Sequence, residues 1–376
     1  MRTLNAFFMV CALSMLTPMA VAEDSPVTQD GLGLLHGTFT RVTKASEERD
    51  LPALGYVGEF LVTPDGQKVA CHCWSVDEKH QVLDRVVIMD VATAKVEQSL
   101  DEDKNGIAER MPMHFTADGK TLLMGYNNGI DAYDLKSGLV VKEYHAPKDR
   151  SLVGYSYSED ATKVVAMTED GGALVWDLIG DKTTYVKLDL PKESSRIAFL
   201  LGGGDDFLVV NRPSGEGAKT RITIVDPKSM KVTLLKESLA NVVVRPTSDG
   251  KRAYIFVAED PQKEVCTSIE EWDLRTAKLT KKEPLQPPLA SINLKLSSDG
   301  ETLFLHEYLA RPVIMWNLKQ GKFVASVGPN LGGCQAFDMT PDGKKVIAFV
   351  GPWIEGTLVP KKLAVYDTSA LVVGTK

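Results

Sequence analysis

Thr63-Pro64-Asp65-Gly66 separates two apolar runs, and the second of these leads to a third that closes on Met89-Asp90. A turn built on Asp-Gly between two β-patterned runs is a hairpin signal, because Gly accepts the left-handed backbone and Asp bonds the turn's own amides. The phrase recurs at Thr116-Ala117-Asp118-Gly119, Ser248-Asp249-Gly250, Ser298-Asp299-Gly300 and Thr340-Pro341-Asp342-Gly343. Two degraded copies stand at Ser158-Glu159-Asp160 and Gly204-Asp205-Asp206. The third runs end on Met89-Asp90, Tyr133-Asp134, Trp176-Asp177, Val225-Asp226, Trp272-Asp273, Trp316-Asn317 and Tyr366-Asp367, spaced 43 to 50 residues apart.

That period, made of short strands, is the mark of a four-stranded propeller blade. Thr121 to Tyr126 runs through Asn127-Asn128-Gly129 into Ile130 to Asp134, a second hairpin, and after Lys136-Ser137-Gly138 the β-branched Leu139-Val140-Val141 supplies an outer strand. No segment sustains a helical period. The expected fold is all-β: a seven-bladed β-propeller of four-stranded antiparallel blades over residues 55–376. Residues 23–54 fall outside the repeats. Thr38-Phe39-Thr40-Arg41-Val42 would supply the outermost strand of the last blade and close the ring; the rival is a tether, with Ala370-Leu371-Val372-Val373 in that outer place.

The Trp-Asp pairs at 176 and 272, Trp316-Asn317 and the Pro-Asp-Gly turns resemble divergent WD40 repeats, and equally the YVTN repeats of secreted bacterial propellers. The chain departs from WD40 in lacking the Gly-His dipeptide ahead of each blade, on which that family's buried His-to-Asp hydrogen bonds rest. Propellers host hydrolases, isomerases and plain scaffolds, so the resemblance carries fold rather than activity.

The composition is that of a soluble globular protein: 376 residues, 44% hydrophobic and 25% charged. With 43 basic against 50 acidic residues the formal charge is −7, and no basic cluster offers a phosphate footprint, which argues against nucleic acid as a partner. Arg2, the apolar stretch from Ala6 to Leu16 and Ala20-Val21-Ala22 have the form of a secretory signal peptide over residues 1–22. The expectation is export to a periplasmic or extracellular compartment, without membrane insertion, as a monomer.

From each Asp-Gly anchor to the end of the third strand, blades 1, 4, 5 and 7 carry 5 to 9 residues more than the minimal blade 2. The excess is placed between second and third strands, at residues 75–84, 213–220, 259–268 and 352–361. In a propeller those loops share a face with the links between blades. A repeat protein that lengthens one face places binding there, against tolerated drift as the alternative. The face collects Trp74, His80, Arg212, His306, Glu307, Tyr308, Arg311 and Trp353.

Asp101-Glu102-Asp103-Lys104-Asn105-Gly106-Ile107-Ala108-Glu109 sets oxygen ligands at alternate positions before a Gly, similar to the short calcium loops of some extracellular propellers. Asp101, Asp103, Asn105 and Glu109 would be the ligands; the alternative is a solvated acidic turn. In Cys71-His72-Cys73, strand alternation aims the thiols to one side and the imidazole to the other, which suits a core strand better than a metal site. Nucleophile elbows, phosphate loops, haem and zinc motifs are absent from the sequence. These features point to a binding or protein-interaction module that takes a protein or extracellular ligand and requires no cofactor. The alternative is a propeller enzyme of the lactonase or isomerase kind, using carboxylates, His and Arg at the channel mouth. An enzyme of that kind would gather them, with perturbed ionisation, in a closed pocket.

Overall fold

In a computed structural model the strands of the described residues pair into seven antiparallel blade sheets, the sixth extended by one parallel strand, and a separate two-stranded hairpin. The structure describes residues 40–76, 82–101, 112–188, 190, 194–202, 204–213, 217–239, 242–259, 265–290, 292–307, 312–329, 333–354 and 357–372. Blades 1 to 6 span residues 56–101, 113–145, 152–186, 194–238, 242–290 and 292–327, and blade 7 draws on 333–367. Among the described residues the only helix is the single turn Ser369–Val372. The seven-bladed propeller expected from the repeat is therefore the architecture of the chain.

Each Asp-Gly turn is built by its own side chains. Thr63 Oγ1 donates to Asp65 Oδ1 at 2.6 Å and accepts the Lys68 amide at 2.9 Å, which locks the hairpin register. The same hydroxyl-to-carboxylate bond recurs at Thr116/Asp118, Ser158/Asp160, Thr247/Asp249, Ser297/Asp299 and Thr340/Asp342. Gly250, at φ +66°, has a second constraint: a Cβ there would come within 2.6 Å of the Leu201 and Gly202 backbone of blade 4.

The aspartates that end the third strands cap the following turn. Asp134 Oδ1 accepts the Ser137 amide at 2.7 Å and its hydroxyl at 2.8 Å, and Asp90, Asp226 and Asp273 treat Thr93, Ser229 and Thr276 alike. These hydrogen bonds, the Ser137 amide foremost, hold Asp134 below the usual carboxylate range. The tryptophans before Asp177, Asp273 and Asn317 occupy matching sites, opposite Val164, Ala253 and Leu303 of their second strands.

Seven apolar clusters fill the spaces between blades. Each contains residues of two consecutive blades, and the seventh joins blade 7 to blade 1 through Ile347, Phe349 and Val365 against Val57, Phe60 and Val87. Cys71 and Cys73 belong to that last cluster as fully buried thiols, Cys73 donating to the Cys71 carbonyl at 3.7 Å, in keeping with a core strand.

The ring is closed differently from the expectation. Thr40–Val42 does not enter the last blade but pairs in parallel with Lys322–Val327 as a fifth strand of blade 6. Glu47–Asp50 pairs antiparallel with Lys362–Asp367 and completes blade 7. Ser369 bonds back to Asp367, starting the helical turn and leaving the outer place of blade 7 to the N-terminal segment. An outer strand has solvent beside it and needs no apolar side chains, so Glu47 and Glu48 fit there exposed although they have the composition of a tether. Ala45, between the two strands, is buried against blades 6 and 7, and Arg49 Nε reaches the Ala92 carbonyl of blade 1 at 2.7 Å. Ala45→Glu places an unpaired carboxylate in that seam. It is expected to lower the melting temperature by roughly 5 °C and to speed proteolytic cleavage within residues 40–51; an unchanged melt and cleavage pattern would contradict the clasp.

Candidate functional site

Two faces follow from the strand directions, and hydrogen bonds identify them. Turns between second and third strands bond the links between blades: Ala146 N to Asn128 O at 2.8 Å, Leu152 N to Asn127 O at 2.9 Å. The Asp-Gly turns bond the turns after the third strands, as Leu135 N to Lys120 O at 2.9 Å. The insertions lie where the sequence put them, between Lys68–Val76 and Val82–Asp90, Phe207–Pro213 and Thr220–Asp226, Arg252–Val257 and Val265–Asp273, and Lys345–Gly351 and Lys362–Asp367. The last holds a small hairpin, Trp353–Ile354 with Thr357–Leu358. Because blades 7 and 1 are neighbours, as are 4 and 5, the insertions fall as two opposed pairs around this face, with shorter turns on blades 2 and 3 between them on one side.

Trp74 and Trp353 lie on strands of blades 1 and 7 at this face, and Arg212 on blade 4 is exposed there, donating to Val242 O at 3.3 Å. His306 does not belong to the open surface. It sits within Thr302–Glu307, 3% exposed, with its ring edge-on to Phe337 at 5.5 Å, and burial holds its pKa below the usual histidine value. Strand alternation carries the imidazole into the blade 6–7 seam. Glu307 ends that strand. His80, Tyr308 and Arg311 lie outside the described residues, as do Asp103, Asn105 and Glu109 of the calcium loop; Asp101 ends Val96–Asp101. On the low side of the face a cluster without a sequence signal stands preformed: the Arg150 guanidinium lies 3.5 Å from the centre of the Tyr185 ring and pairs with Asp170, which also accepts the Tyr185 hydroxyl at 3.0 Å.

The sequence reading also missed the channel. First strands of successive blades approach one another, so they are innermost, and the residue two places before each turn anchor forms a level: Leu61, His114, Ser156, Phe199, Arg245, Lys295 and Asp338. A signal was available in the repeat itself, since aligning the turns exposes charged residues in strands otherwise apolar. Asp338 Oδ2 accepts the Val62 amide at 3.0 Å and its Oδ1 lies 3.4 Å from Lys295 Nζ, tying blades 6, 7 and 1. Glu59 accepts the Met113 amide at 3.0 Å, tying blade 1 to 2. Tyr157 donates to Pro112 O at 2.9 Å and stacks on His114 at 5.3 Å, tying 3 to 2. Arg245 donates to Leu294 O at 2.9 Å, tying 5 to 6.

Glu59, His114 and Arg245 are walled by protein yet partly wetted along the channel. Burial pushes Glu59 up to about 7, against the opposing pull of the Met113 amide and the Lys295 charge; burial likewise lowers His114. The site thus sets a carboxyl of raised pKa and an imidazole of lowered pKa near the Lys295–Asp338 ion pair.

No protein-family model matches the chain, and no curated protein matches it in sequence. Solved structures do. The chain is similar to a chain of Kuenenia stuttgartiensis hydrazine synthase, at 15% identity and TM-score 0.57, with 85% of this chain and 97% of that one covered. It is similar also to the Cps50 (Swd1) β-propeller domain of Myceliophteria thermophila, at 14% identity and TM-score 0.58, with 86% and 98% covered. At such identities the likeness shows the propeller fold alone.

A carboxyl whose folded pKa stands above its ordinary 4.5 takes up a proton on folding, so its contribution to stability declines as pH rises from about 4.5 to about 7. Glu59→Gln keeps the acceptor for Met113 and abolishes this slope. By pH 8 the variant should be more stable than the parent by roughly 2–4 kcal/mol relative to their difference at pH 4.5; parallel stability curves in the two proteins would exclude a raised Glu59.

Proposed function

We propose that the chain works as an exported binding module that captures a protein or extracellular ligand on its looped face, without chemistry of its own. The observation that carries this is the distribution of insertions: long loops in opposed pairs on blades 7–1 and 4–5, all on the face of the blade links, with the Asp-Gly face kept to minimal turns. Low blades 2 and 3 between the pairs leave a floor bearing the Arg150–Tyr185–Asp170 cluster, whose mutual bonds hold it rigid and so lower the ordering cost of contact.

The enzymatic alternative calls for carboxylates, His and Arg gathered and free to act. Glu59, His114 and Asp338 are gathered around Lys295, but both carboxylates, like the separate Arg245 guanidinium, are engaged by the backbone of a neighbouring blade, which favours a structural use. Replacing residues 352–361 by a two-residue hairpin leaves each blade's own ladder intact, so the ring should stay folded. In pull-downs from the native secreted fraction, this variant and the equivalent trimming of 75–84 should each recover at least tenfold less of the partners retained by the parent. Equal recovery by all three would place binding elsewhere.

A further inference from the structure

Arg245 is the one charged side chain at its channel level without a described counter-ion. Its Nε and Nη1 are held by the carbonyls of Leu294 and Val244, at 2.9 and 3.4 Å, and Phe199 of blade 4 lies beside the guanidinium at 5.5 Å. Among the described residues no carboxylate pairs with it, and burial alone, unopposed by any neighbouring anion, lowers its pKa. By contrast Lys295, at the same level on the next blade, leans on Asp338, and Arg150 on the looped face has Asp170.

A guanidinium walled into a protein is ordinarily paired, since an uncompensated charge there costs several kcal/mol. Carbonyls fix its orientation but leave its charge uncancelled. Part of its surface is reached by solvent through the channel, so a small ion has a path to it. The bonds on Nε and Nη1 leave Nη2 uncommitted. We propose that the propeller channel is a binding site for a small oxyanion, a carboxylate or phosphate group, held by the Arg245 guanidinium beside Phe199. The apolar face of Phe199 suits a ligand whose anionic end is attached to a flat or aliphatic body, and a guanidinium fork favours paired oxygens over a halide.

The probes are inorganic phosphate and acetate, titrated calorimetrically and in melting curves against chloride at constant ionic strength. Phosphate stabilises folded proteins without binding, so the readout is the difference between proteins. The parent should give a saturable heat and a melting temperature that rises with oxyanion and levels off; Arg245→Gln should lose at least tenfold in affinity and show only the chloride-like baseline. Arg275→Gln, an exposed arginine in the turn after the third strand of blade 5, should behave as the parent. Arg245→Gln removes the bond to Leu294 along with the charge, so each protein's response to oxyanion is read against its own melt in chloride. If it does not fold, Arg245→Lys replaces it, which keeps the charge without the guanidinium fork and should weaken both oxyanions at least threefold. No saturable heat in the parent, or the same heat in Arg245→Gln, overturns the site; a response to phosphate without acetate assigns it to phosphate groups, the reverse to carboxylates. Loss of loop-face capture does not bear on this outcome, since neither probe nor variant touches those loops.

Discussion

Everything in this molecule depends on the contact between one blade and the next. A four-stranded blade has two apolar faces and cannot bury either by itself, so the sheet is stable only as a member of a ring in which every face meets a neighbour. The seven clusters satisfy that condition, and the clasp of blades 6 and 7 by residues 40–50 follows from it: a ring assembled from a linear chain has one junction not spanned by a simple blade link, and the strand borrowed from the other end secures it.

Near the axis the apolar solution runs out, because first strands converge and their inner edges meet water. There the junctions are made by polar side chains that reach the next blade's backbone: Glu59 to Met113, Asp338 to Val62, Arg245 to Leu294. The aspartates that end the third strands are used separately, to cap the exposed turns that follow. The polar junctions also concentrate ionisable groups in a narrow, partly wetted space, where burial raises Glu59 and lowers His114. Stability at the axis and the capacity to hold an ion thus come from the same residues.

The repeat was legible because its signals are local: a hydroxyl, an Asp and a Gly within four residues define each turn, and spacing does the rest. The looped face was legible for the same reason, since insertions are lengths. Three things were not. Glu47–Asp50 is an edge strand, and an edge strand exposed on its outer side has no hydrophobic pattern to betray it. His306 was read as part of an open loop because it precedes Glu307 and Tyr308, whereas the strand extends through it and alternation turns it inward. The channel set was missed because its members are scattered from residue 59 to 338 and meet only when seven strands share an axis.

The central claim, that the ring is closed at blades 7 and 1 by the same kind of junction as elsewhere, is tested most directly by residue-resolved hydrogen exchange. The amides of Val62 and Met113, which donate to Asp338 and Glu59, should exchange as slowly as central-strand amides such as Val165 and Ile255. Rapid exchange at Val62 and along Gly333–Met339, with the other inner strands protected, would mean that the ring stands open at that seam and would contradict the account.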